Sequence, residues 1–306
     1  MIALVIIHNH RYDANIPRLD EIYKSRFSHI FHLVPFYDGD RSNVITIYEN
    51  SHYFQGYVAQ AYERLTSEGN FDHFIFIGDD LILNPQINQD NYTTYFKVGK
   101  EDSFISSLDE LHSLNLWYHS PKAVDYDPFN VPGVEVKREF PSKEDVLKEF
   151  ERKGFEKPYL NADKVYELPP RCNYPKNLKG LIRYKLDCRK VNKQLRKGRI
   201  ELKFPLMSGY SDIFILPASD FKQFRHYSGL FVATNLFVEL AIPTAMIMAC
   251  KKIFTEKDLM DKGIALWTKE DKQALEDTYE RSLDKLFSTF PSDVLYYHPI
   301  KLSRWT

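Results

Sequence analysis

The sequence predicts an α/β protein built on a Rossmann-type, mostly parallel sheet flanked by helices. Three observations carry this expectation. Apolar runs rich in β-branched and aromatic residues occur at 2–7, 30–36 and 73–78 without polar alternation, as strands covered on both faces do. Segments with helical spacing separate these runs. Two adjacent carboxylates, Asp79 and Asp80, follow the third run directly, at the carboxyl end of a strand, where open α/β sheets hold their ligands.

Taken in order, residues 2–7 form a strand. A helix over 14–26 follows, with Ile16, Leu19, Ile22 and Tyr23 on one face. Strands at 30–36 and 44–48 come next, the first ended by Tyr37-Asp38-Gly39-Asp40. A helix over 56–65 carries Tyr57, Ala61 and Leu65 on one stripe, and Ser67-Glu68-Gly69-Asn70 stops it. The strand His73-Phe74-Ile75-Phe76-Ile77-Gly78 then delivers Asp79 and Asp80. This strand and helix alternation is that of a parallel sheet. From about residue 100 to 207 prolines break the pattern, with a helix over 143–153 as the longest piece, and we read the stretch as an irregular insertion that covers one side of the site. Regular structure resumes with a strand over 208–217 carrying Asp212, a helix over 218–226 and an apolar helix over 229–250 holding Glu239. A helix over 269–287 and a strand or extended tail over 295–305 complete the chain. The whole, 1–306, reads as one domain in three parts: 1–100, the insertion (101–207) and 208–306 with the C-terminal tail.

Composition narrows the classes. A net charge of −1 excludes a nucleic-acid binder on electrostatic grounds. The contents of 43% hydrophobic and 27% charged residues are those of an ordinary globular protein. Cys172, Cys188 and Cys250 have neither a disulfide nor a zinc spacing, which points to a reducing compartment. The start reads as a first strand and has no basic leader, so the expected location is cytoplasmic, at or near the inner face of the plasma membrane. The apolar stretch 229–250 contains Asn235, Glu239 and Pro243, and a mid-span carboxylate favours a buried helix over a membrane span.

One charged segment stands apart. Residues 171–203 contain 12 Lys or Arg against Asp187 and Glu201. Leu181, Tyr184, Cys188, Val191 and Leu195 recur there at helical spacing. This basic amphipathic helix suits anionic lipid headgroups or a phosphorylated acceptor, and a plain solvated face is the alternative.

Two neighbouring carboxylates repel each other, so a cation is their natural companion. Oxygen donors of this kind suit Mg²⁺ or Mn²⁺, held jointly by carboxylate and substrate phosphate. A solvated Asp-Asp turn is the simpler alternative. No Gly-x-Gly-x-x-Gly follows the first strand and no Gly-Lys-Ser/Thr occurs, which argues against a dinucleotide dehydrogenase and a P-loop NTPase. His8, His10 and Arg11 follow the first strand, where a nucleotide base or ribose would sit or where an ordinary polar loop would run.

These patterns together resemble GT-A-fold glycosyltransferases of the kind that build bacterial polysaccharides. Ile77-Gly78-Asp79-Asp80 resembles the Asp-x-Asp motif at the end of a hydrophobic strand, with Gly78 in the first acidic place. The resemblance implies Asp80 as metal ligand and Asp79 as a ribose, sugar or supporting contact. Ser208-Gly209-Tyr210-Ser211-Asp212 is similar to the strand start facing the donor sugar, and 226–231 to the Gly-Phe turn. Phe237-Val238-Glu239-Leu240 is similar to the helix that carries the base of inverting members, although Val238 stands where a second acid is often found. Near the C-terminus, His298 matches a further metal ligand, and Lys301 and Arg304 match the groups that hold the diphosphate.

The expected activity is metal-dependent, inverting transfer of a sugar from a nucleotide-diphosphate sugar to a glycan or lipid-linked acceptor. The resemblance makes 1–100 the nucleotide-sugar-binding half, 101–207 an irregular acceptor-side insertion and 208–306 the acceptor and catalytic half. Glu239 is the first choice of base and Asp212 the second. A buried Glu239 paired with a Lys or Arg is the structural alternative. Two rival classes remain: a nucleotidyltransferase on a similar sheet, and a non-catalytic sugar- or lipid-phosphate-binding protein, which the Gly78 substitution keeps open.

Overall fold

The computed structural model describes residues 1–115, 120–132, 135–163 and 178–306. Its elements are β1 (Ile2–Ile7), α1 (Asn15–Tyr23), β2 (Ile30–Pro35), β3 (Val44–Ile47), α2 (Phe54–Ser67), β4 (His73–Gly78), β5 (Ile82–Leu83), α3 (Tyr92–Tyr95) and β6 (Asp102–Ile105). They continue with α4 (Ser120–Asp125), α5 (Lys143–Arg152), β7 (Tyr159–Leu160), α6 (Leu178–Leu195), β8 (Ile200–Glu201), β9 (Ile213–Pro217), α7 (Ala218–Ala233) and α8 (Val238–Ala249). Last come β10 (Lys252–Phe254), β11 (Lys262–Ala265), α9 (Lys269–Thr278), α10 (Leu283–Ser288) and β12 (Val294–His298). Arg171, Cys172 and Lys176 of the basic segment lie outside the described residues.

Among the described residues the central sheet has seven strands in the order β10-β6-β9-β4-β1-β2-β3. It is the mostly parallel, helix-flanked sheet that the sequence predicts. β1 runs parallel to β2 and β4, and β2 parallel to β3. β9 alone runs against its neighbours β4 and β6. A small sheet, β11-β12-β5, stands beside it, and β7 pairs with β8.

The absence of polar alternation in β1 and β4 is explained by two cores. Successive side chains of a strand point to opposite faces. Ala3, Val5, Ile7, Phe74 and Phe76 face one buried cluster, with α2, α7 and α8. Ile2, Leu4, Ile6, Ile75 and Ile77 face the other, with Leu19 and Tyr23 of α1, Leu275 of α9, Leu286 of α10 and the strand β12. Across β4 and β9, Phe76 stacks on Phe214 with centroids 4.7 Å apart.

Five sequence expectations are corrected. The apolar stretch 229–250 is two helices. α7 ends in a Schellman motif: Leu236 N–H donates to Phe231 O, Asn235 N–H donates to Val232 O, and Asn235 takes a φ of 58°. Residues 226–231 are therefore helix rather than a Gly-Phe turn. The helix expected over 269–287 also divides, at Glu280 and Arg281, both in the left-handed region, after which the Ser282 side chain caps α10. Residues 102–105, assigned to the insertion, form β6 of the central sheet. The strand expected from 208 begins at Ile213, so Asp212 immediately precedes it. Among the described residues no helix is long and apolar enough to cross a membrane.

Candidate active site

Strand register assembles the site. Ile77 pairs with Ile213, so the antiparallel β9 brings its beginning, Asp212, beside Gly78 at the end of β4. Gly78 N–H donates to Asp212 O at 2.9 Å. Tyr297 of β12 pairs with Ile82 of β5, and this register carries the next residue, His298, back to Asp80. Ile300 N–H donates to Asp80 O at 2.7 Å, fixing the turn after β12. Three segments far apart in sequence thus meet at one sheet end.

His298 is the hub. Its Nε2 lies 3.0 Å from Asp80 Oδ1 and 3.7 Å from Asp212 Oδ1, while its Nδ1 meets the Tyr210 hydroxyl. Burial opposes the imidazolium, but Asp212 and Asp80 outweigh it, so the His298 pKa is raised. A Cβ at position 78 would lie 3.2 Å from Asp80 Oδ1 and 3.8 Å from Asp212 Oδ1. The space beside Gly78 is thus bordered by carboxylate oxygens from two strands. Gly209 permits a similar approach, since a Cβ there would fall 2.2 Å from Ser107 O.

The remaining carboxylates hold too little positive charge around them. Burial, then repulsion from Asp80, pushes Asp79 up to about 7, although Asn9 N–H donates to its Oδ1 at 3.1 Å. Burial also raises Asp212, with His298 offsetting in part. Glu239, in the first turn of α8, is pushed up to about 7 by burial and by Asp212, against the opposing charges of Lys122 and His298. Lys122 itself sits over the Phe237 ring, with Nζ 4.5 Å from the centroid.

Behind Asp79 runs a buried chain of polar groups. His8 Nδ1 is 3.7 Å from Asp79 Oδ2, His8 Nε2 is 3.0 Å from His32 Nδ1, and His32 Nε2 is 3.0 Å from Asp20 Oδ1. The Asp20 carboxylate only accepts, so His32 donates from Nε2. His8 Nδ1, on the other side of the ring, faces Asp79. That nitrogen has no hydrogen-bond partner. His8 is driven down to about 3 by burial and by His32.

Asp79 and Asp80 line a cleft of about 630 Å³ together with His10, Arg11, Lys272, Lys301 and Arg304. Most of the sequence-predicted residues therefore meet here, with distinctions. His8 is fully buried and reaches the cleft only through Asp79. Arg11 turns its guanidinium to Asp38 and Asp13. Arg304 lies 3.8 Å from Glu276. Glu239, Asp212 and His298 gather on the other side of Asp80, outside the cleft lining. Among the described residues no three His, Cys, Asp or Glu side chains are disposed to hold a metal by themselves.

Sequence reasoning missed Lys122, Tyr210 as a partner of His298, and Lys272. Lys122 sits in the short, largely buried helix α4 and Lys272 in the polar helix α9, neither within a motif, and only the fold brings them near the carboxylates and His298. Tyr210 stands two residues before Asp212, and no local pattern marks its hydroxyl as a partner of His298.

No family model matches the chain, and no curated protein matches it. Among solved structures it is similar to a galactosyltransferase, LgtC, crystallised with donor and acceptor sugar analogues. The TM-score is 0.34 at 10% identity, over 97% of this chain and 86% of that one.

Proposed function

We propose that the protein is a GT-A-type glycosyltransferase that moves a sugar from a nucleotide-diphosphate sugar to a hydroxyl acceptor. The observation that carries this reading is the meeting of Asp80, Asp212 and His298 at one sheet end, beside a cleft lined by Asp79, Asp80, Lys272, Lys301 and Arg304. Lys272, Lys301 and Arg304 offer the diphosphate its counter-charges, and Asp79 offers hydrogen bonding to ribose or sugar.

The donor set fits a divalent cation. Asp79 and Asp212, both with raised pKa values, lie near Asp80, and Glu239, raised likewise, is near Asp212, with His298 and Lys122 as the opposing basic groups. Asp80 and His298 would hold Mn²⁺ or Mg²⁺, with the remaining positions filled by diphosphate oxygens, in keeping with the absence of a complete protein cage. When bound, the ion supplies Lewis-acid neutralisation of the leaving diphosphate. The residues do the rest. Asp212 orients His298 from 3.7 Å, and Tyr210 holds its other nitrogen. Glu239, with a pKa near neutrality, accepts the proton of the attacking hydroxyl in an inverting transfer. Trp267, exposed beside Tyr210, offers a flat apolar face for a sugar ring.

Titration calorimetry with UDP tests the reading. Wild type should bind UDP with Mn²⁺ and lose the binding to chelator. Asp80→Ala should abolish the metal-dependent part while keeping the wild-type melting temperature. Unchanged UDP–Mn²⁺ affinity in that variant would remove Asp80 from the site. Metal-dependent UDP binding without turnover of any nucleotide sugar would favour the non-catalytic binding protein.

A further inference from the structure

The charge of the segment 171–203, which contains α6, is legible in the sequence, and the structure adds a feature that charge alone does not reveal. α6 buries Cys188, Val191 and Leu195 against the body of the protein, and Leu181 and Tyr184 are partly covered on the same side. Its outward face is not polar. Leu178, Ile182 and Leu186 are 73%, 51% and 56% exposed. They stand four residues apart, so they form one stripe along the helix.

Cations surround this stripe. Lys179, Arg183, Lys185 and Arg189 are exposed beside it, and Lys193 and Arg196 continue it toward the helix end. Among the described residues Lys190 is the α6 cation drawn into an ion pair, with Asp125 at 2.6 Å. Asp187 is the single acid of the helix.

A solvated charged face has no use for three large aliphatic side chains at its centre. A soluble anion or a nucleic acid would meet the cations and leave the aliphatics in water. An anionic bilayer satisfies both at once: the aliphatic stripe enters the boundary between headgroups and acyl chains, and the flanking Lys and Arg reach the phosphates. We propose that α6 is an interfacial helix that seats the protein on an anionic lipid surface.

The placement has a consequence. α6 packs against α4, the helix that supplies Lys122 to the neighbourhood of Glu239. The lipid-bound element and the acceptor side of the site are therefore mechanically joined through one short helix. The lipid contact itself does not rest on the transferase reading and can hold if that reading fails.

Vesicle sedimentation of the full chain tests it, with phosphatidylcholine alone and phosphatidylcholine doped with phosphatidylglycerol. Wild type should pellet with the anionic vesicles only, more strongly at low salt. Each cation near such a surface contributes about fivefold in affinity, so replacing Arg183, Lys185, Arg189 and Lys193 with Gln should weaken binding on the order of several hundred-fold. Replacing Leu178, Ile182 and Leu186 with Ser should weaken it roughly tenfold or more and remove the salt-resistant fraction. Both variants change exposed side chains and should keep the wild-type melting temperature and UDP–Mn²⁺ affinity. Failure of wild type to bind anionic vesicles at low salt overturns the proposal. So does a serine variant that binds as well as wild type, which would leave a charged face attracting any anion. A serine variant that turns a dimer into a monomer without changing vesicle binding would assign the stripe to a second copy.

Discussion

A side chain at position 78 would begin 3.2 Å from an Asp80 oxygen, with an Asp212 oxygen 3.8 Å away. Glycine at position 78 is therefore a fitted feature of this sheet end, because β9 brings a carboxylate to the same region. At Glu239 the physics separates a base from a structural ion-pair partner. Burial raises its pKa to about 7, so its charge costs folding free energy at neutral pH and is only partly offset by Lys122. Glu239→Gln keeps the shape and removes the charge. Transfer should fall by about 10²–10⁴-fold with donor affinity unchanged and melting temperature equal or higher. A variant that loses stability and donor binding together would make Glu239 a structural partner of Lys122. Turnover, affinity and melting on one preparation decide between them.

At the scale of elements, the decisive piece is β9. It enters between β4 and β6 against their direction, and only that direction puts Asp212 at the same sheet end as Asp80. The β4–β9 contact is held by hydrogen bonds and by the stacked rings of Phe76 and Phe214. Phe76 is fully buried, and Phe76→Ala should cost about 3–5 kcal/mol in denaturant unfolding. The same variant should weaken metal-dependent UDP binding, since the register that aligns Asp212 with Gly78 loses its packing. Lost stability with wild-type UDP–Mn²⁺ affinity would mean that backbone pairing alone holds the two carboxylates in place.

For the whole molecule, the concentration of raised pKa values at one sheet end predicts an unusual pH dependence. A carboxyl or imidazole whose folded pKa is raised binds more protons folded than unfolded, so its contribution to stability falls as pH rises through the folded value. Asp79 and Glu239, near 7, and His298, raised above 6.5, all act in this sense. His8, lowered from 6.5 to about 3, acts oppositely but only below 6.5. From pH 6.5 to 7.5 the metal-free protein should therefore lose thermal stability. Mn²⁺ should flatten or reverse that slope, since a bound cation favours the ionised carboxylates. A melting temperature that rises across this window without metal would show that the site carboxylates are better compensated than their surroundings indicate.

The strands β1 and β4, the helices α1, α2 and α5, and the buried face of α6 were legible in the sequence because each is governed by local periodicity. Asp79 and Asp80 were legible for the same reason: they follow a buried strand directly, and strand ends carry ligands. The sequence by itself also determined that no glycine-rich phosphate loop follows β1. What it could not determine is pairing. The short strands β5 and β6 contain too few residues to stand out, and the antiparallel sense of β9 is set by its neighbours. The breaks after α7 and α9 depend on Asn235, Glu280 and Arg281 adopting left-handed backbone, and no periodicity predicts that. The meeting of Asp80 with Asp212 and His298 spans more than a hundred residues of chain, and Lys122 joins Glu239 from a segment without a motif. Only tertiary structure decided these contacts, because charges interact through distance in space, and sequence spacing carries no measure of that distance beyond the length of one element.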